Sequence, residues 1–136
     1  MIRPIMHDES FLAQASADAV RTDVSVARDL VDTLRANKNN CVGMAANMIG
    51  VLKRIIAFED NGKYVVMMNP VITDKMGEYT AQEGCLSLTG IRTATRYQKI
   101  EVTYQDTMFR MKKASYEGWT AQIIQHEIDH CNGILI

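Results

Sequence analysis

Two histidines and a glutamate near the end of the sequence form a His-Glu-x-x-His pattern at His126, Glu127 and His130. On a helix, side chains four residues apart lie on one face, so both imidazoles can bind one metal ion. Glu127 is then placed to accept a proton from a metal-bound water. Such a short pattern also arises by chance, and two helical histidines beside a surface glutamate are the alternative. Another part of the chain must supply a third ligand.

A candidate third ligand lies in the segment Glu83-Gly84-Cys85-Leu86-Ser87, in a loop-prone stretch between strands. A thiolate at Cys85 would complete a His2Cys set and leave the fourth tetrahedral position open, as catalytic metal sites do. By spacing alone, however, a lone cysteine after a glycine is more typical of a small buried hydrophobic residue. The other cysteines, Cys41 and Cys131, form no Cys-x-x-Cys pair, and no disulfide framework is expected.

Two helices are predicted from apolar residues spaced three and four apart. The first runs from about residue 23 to residue 38, where Asp23 or Ser25 can cap its start. The second runs from residue 116 to residue 130 and carries both histidines, with Gly133 placed to stop it. Its apolar side is expected to consist of Trp119, Ile123, Ile124 and Ile128.

Antiparallel strands are predicted between the two helices. One hairpin spans residues 54–68 and turns at Asp60-Asn61-Gly62, and another spans residues 99–112 and turns at Asp106-Thr107. Asn69-Pro70 is expected to end a strand, with another short strand after it. This order predicts an α+β fold: antiparallel strands packed around a C-terminal metal-binding helix, with an N-terminal core helix.

Length and composition indicate an ordinary globular protein. The 136 residues predict a single domain over residues 1–136, with 47% hydrophobic and 23% charged residues. The net charge of -1, with both signs interspersed, indicates no nucleic-acid-binding surface. With no long apolar run and no signal-peptide core, we expect a cytoplasmic protein that does not bind membranes.

Taken together, three motifs resemble those of the peptide deformylase family. They are Gly-x-Ala-Ala at residues 43–46, Glu-Gly-Cys-Leu-Ser at residues 83–87, and Gln-His-Glu-x-Asp-His at residues 125–130. Their order and spacing are those of the family. The resemblance implies that Cys85 binds one divalent metal ion together with the two histidines. That ion is usually Fe²⁺ in the cell, with Zn²⁺ or Ni²⁺ as substitutes.

The resemblance also implies a reaction. Glu127 would act as the general base and later donate a proton to the leaving amine, and the backbone N–H of Leu86 would help to hold the developing oxyanion. The substrate would be an N-formylmethionyl peptide, a nascent chain at the ribosome, and the products would be formate and a free N-terminal amine.

Further residues are assigned by position in the family. The segment Val42, Gly43 and Met44 would pair with the substrate backbone like an added strand, with Trp119 and Ile123 in the adjacent pocket. A set of charged side chains would support the ligands from outside the coordination sphere: Glu83 paired with Arg92, and Asp129.

Two positions depart from the family's first motif, Gly-x-Gly-x-Ala-Ala-x-Gln. Met48 stands where the family has the final Gln, whose amide donates to the oxyanion, and a thioether cannot donate a hydrogen bond. Losing one such donor costs about 10²–10³ in kcat, and the amide of Asn47 is not expected to replace it. Cys41 stands at the first Gly. It would be strained if that position needed a positive φ, and its thiol would make a nearby metal site more oxidisable.

Other interpretations remain open at this point. Met48 and Cys41 are compatible with a deformylase-like paralogue that binds metal and N-terminal peptides with little activity. A metalloprotease is disfavoured by the cysteine ligand and the small size, and a structural zinc domain by its having only three apparent ligands. The sequence ends at Ile136, where family members usually continue, so we expect a thinner core wall or a covering protomer. Monomer and homodimer are both compatible with the sequence.

Overall fold

The computed structural model describes all residues from Met1 to Ile136. Five strands form one antiparallel sheet in the order β1-β2-β3-β4-β5, so the predicted α+β class is confirmed. None of the helices is long and apolar enough to cross a membrane. In chain order, the elements are α1 (Glu9–Leu12), α2 (Val24–Ala36), β1 (Gly43–Ala45), β2 (Ile55–Asp60), β3 (Lys63–Gly84), β4 (Ile91–Gln105), β5 (Met111–Glu117) and α3 (Gly118–Cys131).

Strand β2 lies between the two long helices. Ile55 and Ala57 belong to the apolar cluster that contains the buried residues of α2, whereas Ile56 and Phe58 belong to the cluster that contains those of α3. Because successive side chains of a strand point to opposite faces, α2 and α3 cover opposite faces of the sheet at β2. Both predicted helices are therefore core helices.

The α2 helix follows its predicted stripe. Leu30 and Leu34 are fully buried, and the helix ends at Ala36, two residues before the predicted end. Asp23 occupies the N-cap position, but its carboxylate accepts from the Val20 N–H at 2.8 Å instead of from a helical N–H. The side-chain cap expected from the sequence is therefore absent.

The prediction that Asn69-Pro70 ends a strand is wrong. Strand β3 continues for 22 residues, with a shift in its pairing to β4 between Met68 and Val71. Asn69 adopts a φ of 52°, and its amide accepts from the Ala19 N–H at 2.7 Å and donates to Ala19 O at 3.1 Å. A bulge accommodates a proline that a regular ladder would exclude. The long strand delivers Glu83 and Gly84 to the end of the sheet.

The two hairpins lie where the sequence predicts them, but the strands of the second hairpin differ in length from the prediction. The Asp60-Asn61-Gly62 turn is confirmed, with φ values of 51° at Asn61 and 83° at Gly62, as in a type I′ turn. Strand β4 begins at Ile91 instead of residue 99, and β5 covers Met111–Glu117 instead of residues 108–112. Cross-strand pairing, which the local pattern does not report, sets these lengths.

Helix α3 begins at Gly118, because Tyr116 still pairs with Ile100 in the sheet. Ile123, Ile124 and Ile128 are buried, as predicted, but Trp119 is 63% exposed and does not belong to the core. The helix ends before Gly133, whose φ of 74° confirms the predicted stop.

Gly133 also meets the N-terminal segment closely. A Cβ at this position would lie 2.6 Å from Ala13 O and 2.8 Å from Gln14 C, both backbone atoms. We therefore expect Gly133→Ala to lower the free energy of unfolding more than Gly62→Ala does. Gly62 has a φ of 83°, and a Cβ added there would meet nothing within 4 Å.

Both substitutions carry the left-handed backbone strain of about 1–2 kcal/mol, so Gly62→Ala controls for it. Urea unfolding of the parent and both variants measures the difference. Equal losses would show that the backbone contact at Gly133 is unimportant.

Candidate metal centre

Cys85, His126 and His130 come together in the structure. The Sγ of Cys85 lies 3.3 Å from Nε2 of His130, and the two Nε2 atoms lie 3.1 Å apart. The three donor atoms all lie within 4.8 Å of one another. Ligand atoms that are each about 2.0–2.3 Å from one ion lie about 3–4 Å from each other. The two measured separations lie in this range, so the donor set suits a single divalent ion.

Two elements position these donors. The histidines are four residues apart on α3, so they share one face of the helix, and both are buried. Cys85 follows Gly84 at the end of β3, where the chain leaves the sheet. The loop after Cys85 is tied to the N-terminal segment, because His7 Nδ1 lies 2.9 Å from Ser87 O.

Glu83 orients His126. Its Oε1 lies 2.8 Å from Nδ1 of His126, which leaves the Nε2 atom facing the other donors. The same carboxylate accepts two hydrogen bonds from Arg96, at 2.7 and 2.9 Å, and one from Gln122 at 2.9 Å. Arg96 also donates to Asp129 at 2.7 Å. This network joins β3, β4 and α3 beside the donor set.

The predicted pairing of Glu83 with Arg92 is wrong. The two residues are register partners across β3 and β4, but the Arg92 side chain approaches Glu9 at 3.7 Å and donates to Thr89 O. Arg96 lies four residues further on the same face of β4, next to α3, where Asp129 and Glu83 are both within reach. The Arg96 side chain is only 4% exposed, compared with 29% for Arg92. The prediction rested on the position of Arg92 in the family, which does not report which arginine is buried.

The charges around the donor set favour a cation. Burial lowers the pKa of His130 to about 3, and the neighbouring charge of His126 acts in the same direction. Burial also opposes charge on His126, but hydrogen bonds with Cys85 and Glu83 outweigh it and raise the pKa to about 10. Burial likewise opposes charge on Glu83, yet hydrogen bonds from His126 and Arg96 hold its pKa at about 2. The site thus holds positive charge between anionic groups.

Glu127 lies on α3 beside the donor set and is buried. Burial raises the pKa of its carboxyl to about 7, and Oε1 has no hydrogen-bond partner within the protein. A Cβ at Gly43 would lie 2.9 Å from Oε2 of Glu127 and 2.6 Å from Cγ2 of Ile123. Gly43 therefore lets β1 approach α3 at this point. A pKa near neutrality suits a group that both accepts and donates a proton.

A cleft with a volume of about 630 Å³ opens over these groups. Strand β1 pairs only with β2, so its other edge is free. Val42, just before this strand, and Gly43, its first residue, border the cleft. The backbone N–H of Leu86 has no acceptor within the protein. The predicted residues that line the cleft are Val42, Gly43, Leu86, Trp119 and Ile123.

Among the predicted binding residues, only Met44 has a side chain that does not line the cleft, while its backbone pairing with the substrate stays a prediction. Its side chain is fully buried in the apolar cluster with Leu30 and Leu34 and does not line the cleft. The reason is strand alternation: Met44 follows Gly43, so its side chain points to the opposite face of β1.

The positions that depart from the family motif lie in and behind the cleft. Met48 is buried and lines it, whereas Asn47 donates through Nδ2 to His130 O at 3.0 Å and does not reach it. Cys41 has no positive φ, so the backbone strain considered for it is absent. Its thiol lines the cleft and donates to Gly43 O at 2.8 Å.

Comparison with known proteins gives consistent matches along the whole chain. Residues 2–136 match the family model described as polypeptide deformylase. The peptide deformylase of Clostridium beijerinckii is 54% identical over 136 residues, which cover 100% of both chains. That of Prochlorococcus marinus is 38% identical over 124 residues, covering 86% of this chain and 59% of its own length.

Solved structures agree with these matches. The class I type b peptide deformylase of Acinetobacter baumannii, bound to Met-Ala-Ser, superposes with a TM-score of 0.88 at 27% identity, covering 99% of this chain and 97% of its own. A peptide deformylase from Legionella pneumophila gives a TM-score of 0.88 at 33% identity, covering 99% of this chain and 83% of its own.

The contacts of the two arginines predict different costs of removal. Arg96→Gln leaves the carboxylates of Glu83 and Asp129 without their cation, and we expect it to lower the free energy of unfolding by about 3–5 kcal/mol. Arg92→Gln removes a long ion pair with the exposed Glu9 and one hydrogen bond to Thr89 O, and is expected to cost no more than about 1 kcal/mol. Chemical denaturation of both variants measures this difference. A larger loss in Arg92→Gln would contradict the network described above.

Proposed function

We propose that this chain, which belongs to the polypeptide deformylase family, hydrolyses the N-formyl group of N-formylmethionyl peptides and releases formate. Members of the family are enzymes, so the activity class is a hydrolase. One observation carries the proposal: a cysteine and two histidines converge beside a buried glutamate, at a cleft bordered by a free strand edge. Each of these parts has a task in amide hydrolysis.

The family implies a divalent metal ion, and we assign Cys85, His126 and His130 to hold it. We propose Fe²⁺ as the ion in the cell, with Zn²⁺ or Ni²⁺ as substitutes. When bound, such an ion supplies Lewis acidity, which activates water and polarises a carbonyl group. Glu83 keeps His126 in the tautomer that presents Nε2 to the ion, because it accepts the Nδ1 hydrogen.

We assign Glu127 to proton transfer. With a pKa raised to about 7 by burial, its carboxylate can take a proton from the attacking water at neutral pH and pass it to the leaving amine nitrogen. It packs closely against Gly43 of β1, which holds the carboxylate at the cleft. The N–H of Leu86, which has no acceptor within the protein, is available to the oxygen of the formyl group as negative charge develops there.

The free edge of β1 is the proposed docking edge for the peptide. An extended peptide can pair with the backbone of Val42 and Gly43, while its first side chain enters the cleft near Ile123 and Trp119. A tripeptide that begins with methionine is bound by the Acinetobacter baumannii relative, which supports a peptide of this kind as the ligand. We propose nascent chains at the ribosome as the substrates, with the reaction in the cytoplasm, carried out by one domain that spans residues 1–136.

Replacement of Glu127 tests the chemical step. We expect Glu127→Gln to lower kcat for formate release from a formyl-Met tripeptide by about 10²–10⁴, because the proton carrier is lost. The Zn²⁺ content should stay the same, since Glu127 is not an assigned ligand. Glu78→Gln, at an exposed position on β3, is the matched control. Unchanged formate release in Glu127→Gln would exclude this role.

Replacement of Met48 tests whether the missing amide slows the reaction. We propose a reduced rate, so Met48→Gln is expected to raise kcat, by up to about 10²–10³, because it adds a donor at a cleft-lining position. Met48→Leu keeps the position apolar and is expected to leave kcat near that of the parent. Formate release by the Fe²⁺ proteins, prepared anaerobically, measures both.

The same series separates the two functions that the sequence permits. A silent parent that gains activity in Met48→Gln would favour a paralogue that binds N-terminal peptides without hydrolysing them. A parent that turns over, with no difference between Met48→Gln and Met48→Leu, would show that the reaction does not need an amide at this position.

A further inference from the structure

Asn47 contacts the proposed metal site from behind. It lies in the 3₁₀ helix Ala46–Ile49 that follows β1, and it is 1% exposed. Its Nδ2 donates to the backbone oxygen of His130 at 3.0 Å. Because a carbonyl oxygen can only accept, this contact fixes which end of the amide faces the helix. The Asn47 side chain thus joins the segment after β1 to the last turn of α3.

Two buried polar atoms at this contact have no hydrogen-bond partner within the protein. They are Oδ1 of Asn47, an acceptor, and Nδ1 of His130. If His130 binds an ion through Nε2, its remaining hydrogen resides on Nδ1, which becomes a donor. The two unpaired atoms are then complementary, one a donor and the other an acceptor. They belong to Asn47 and His130, which are already joined by the Nδ2 hydrogen bond. Leaving such a pair unmade costs about 1–3 kcal/mol for each buried atom.

The two histidines differ in this respect. Nδ1 of His126 has an acceptor in Glu83, whereas Nδ1 of His130 has none. A ligand histidine normally donates its second N–H to an oxygen, which sets its tautomer and the direction of its ring. Asn47 is hydrogen-bonded to the His130 backbone and carries an unused oxygen.

We propose that Asn47 is a positioning residue for His130, accepting its Nδ1–H through Oδ1, directly or through one water, when a divalent ion is bound. The inference rests on the metal site of the proposed function and deepens it. Asn47 serves His130 as Glu83 serves His126, but with a neutral acceptor that adds no further negative charge. The Nδ2 contact to the His130 carbonyl holds the amide in place for this task.

Metal affinity tests the proposal without recourse to enzyme activity. Asn47→Leu has a similar volume and removes both polar contacts, so we expect Zn²⁺ to bind about 10–100-fold more weakly in competition with a chelator. Asn47→Asp keeps an acceptor for Nδ1–H but loses the donor to His130 O, so we expect it to recover part of this loss. The visible absorption of the Co²⁺ protein should change in Asn47→Leu and return towards that of the parent in Asn47→Asp.

Thr33→Val is the control for a merely structural effect. Thr33 is fully buried on α2, where its hydroxyl donates to Asp29 O at 2.7 Å, and it contacts none of the proposed ligands. We expect this variant to unfold at a lower urea concentration and yet to bind Zn²⁺ as the parent does. Equal Zn²⁺ affinity in Asn47→Leu and the parent, or equal losses in Asn47→Leu and Asn47→Asp, would overturn the proposal.

A second measurement uses the unmodified chain and so does not depend on whether a variant folds. The sequence has three histidines, so nitrogen-15 labelling of histidine gives few imidazole signals to assign. In the Zn²⁺ protein we expect slowly exchanging Nδ1–H signals from both His126 and His130. A protected signal from His126 alone would overturn the role of Asn47. A parent that binds no Zn²⁺ would overturn this inference together with the metal site, whereas absent formate release with both signals present would count against the proposed reaction only.

Discussion

The buried carboxylate of Glu83 is the interaction on which the rest of the site depends. It accepts hydrogen bonds from His126, Arg96 and Gln122, so all the groups around it are held in one arrangement. A buried charge is tolerated only when it is paired and hydrogen-bonded, and this one is paired with a guanidinium that is itself buried. Since these partners lie on β4 and α3, the same bonds that satisfy the carboxylate also fix the helix against the end of the sheet.

The electrostatics of the site follow from that arrangement. One imidazole is drawn towards its charged form by carboxylate and thiol neighbours, while the other is kept neutral by burial and by the first. A divalent ion among these donors would be stabilised by the same neighbours that favour the charged form of His126. Glu127 lies close by but is not satisfied by any protein group, and burial leaves its pKa near neutrality. Groups of similar chemistry thus differ in charge state because their surroundings differ.

The core and the site share their supporting elements. Strand β2 is covered by α2 on one face and by α3 on the other, so packing that stabilises the fold also positions the histidines. Gly43 shows how closely the core and the site are coupled. The space that a side chain would occupy at this position is filled by Glu127 and Ile123. The free edge of β1 is thereby brought to the cleft.

The sequence by itself determined what depends on local geometry. The spacing of His126 and His130 on a helix, the turn at Asn61-Gly62 and the stripe of α2 all follow from periodicities of a few residues. The part played by Cys85 required a resemblance in addition, since spacing alone favoured a buried thiol. Only the tertiary structure decided that β3 runs through Pro70, that Arg96 rather than Arg92 reaches Glu83, and that Asn47 reaches His130. Each of these depends on strand pairing or on contacts between distant segments, which no local pattern encodes.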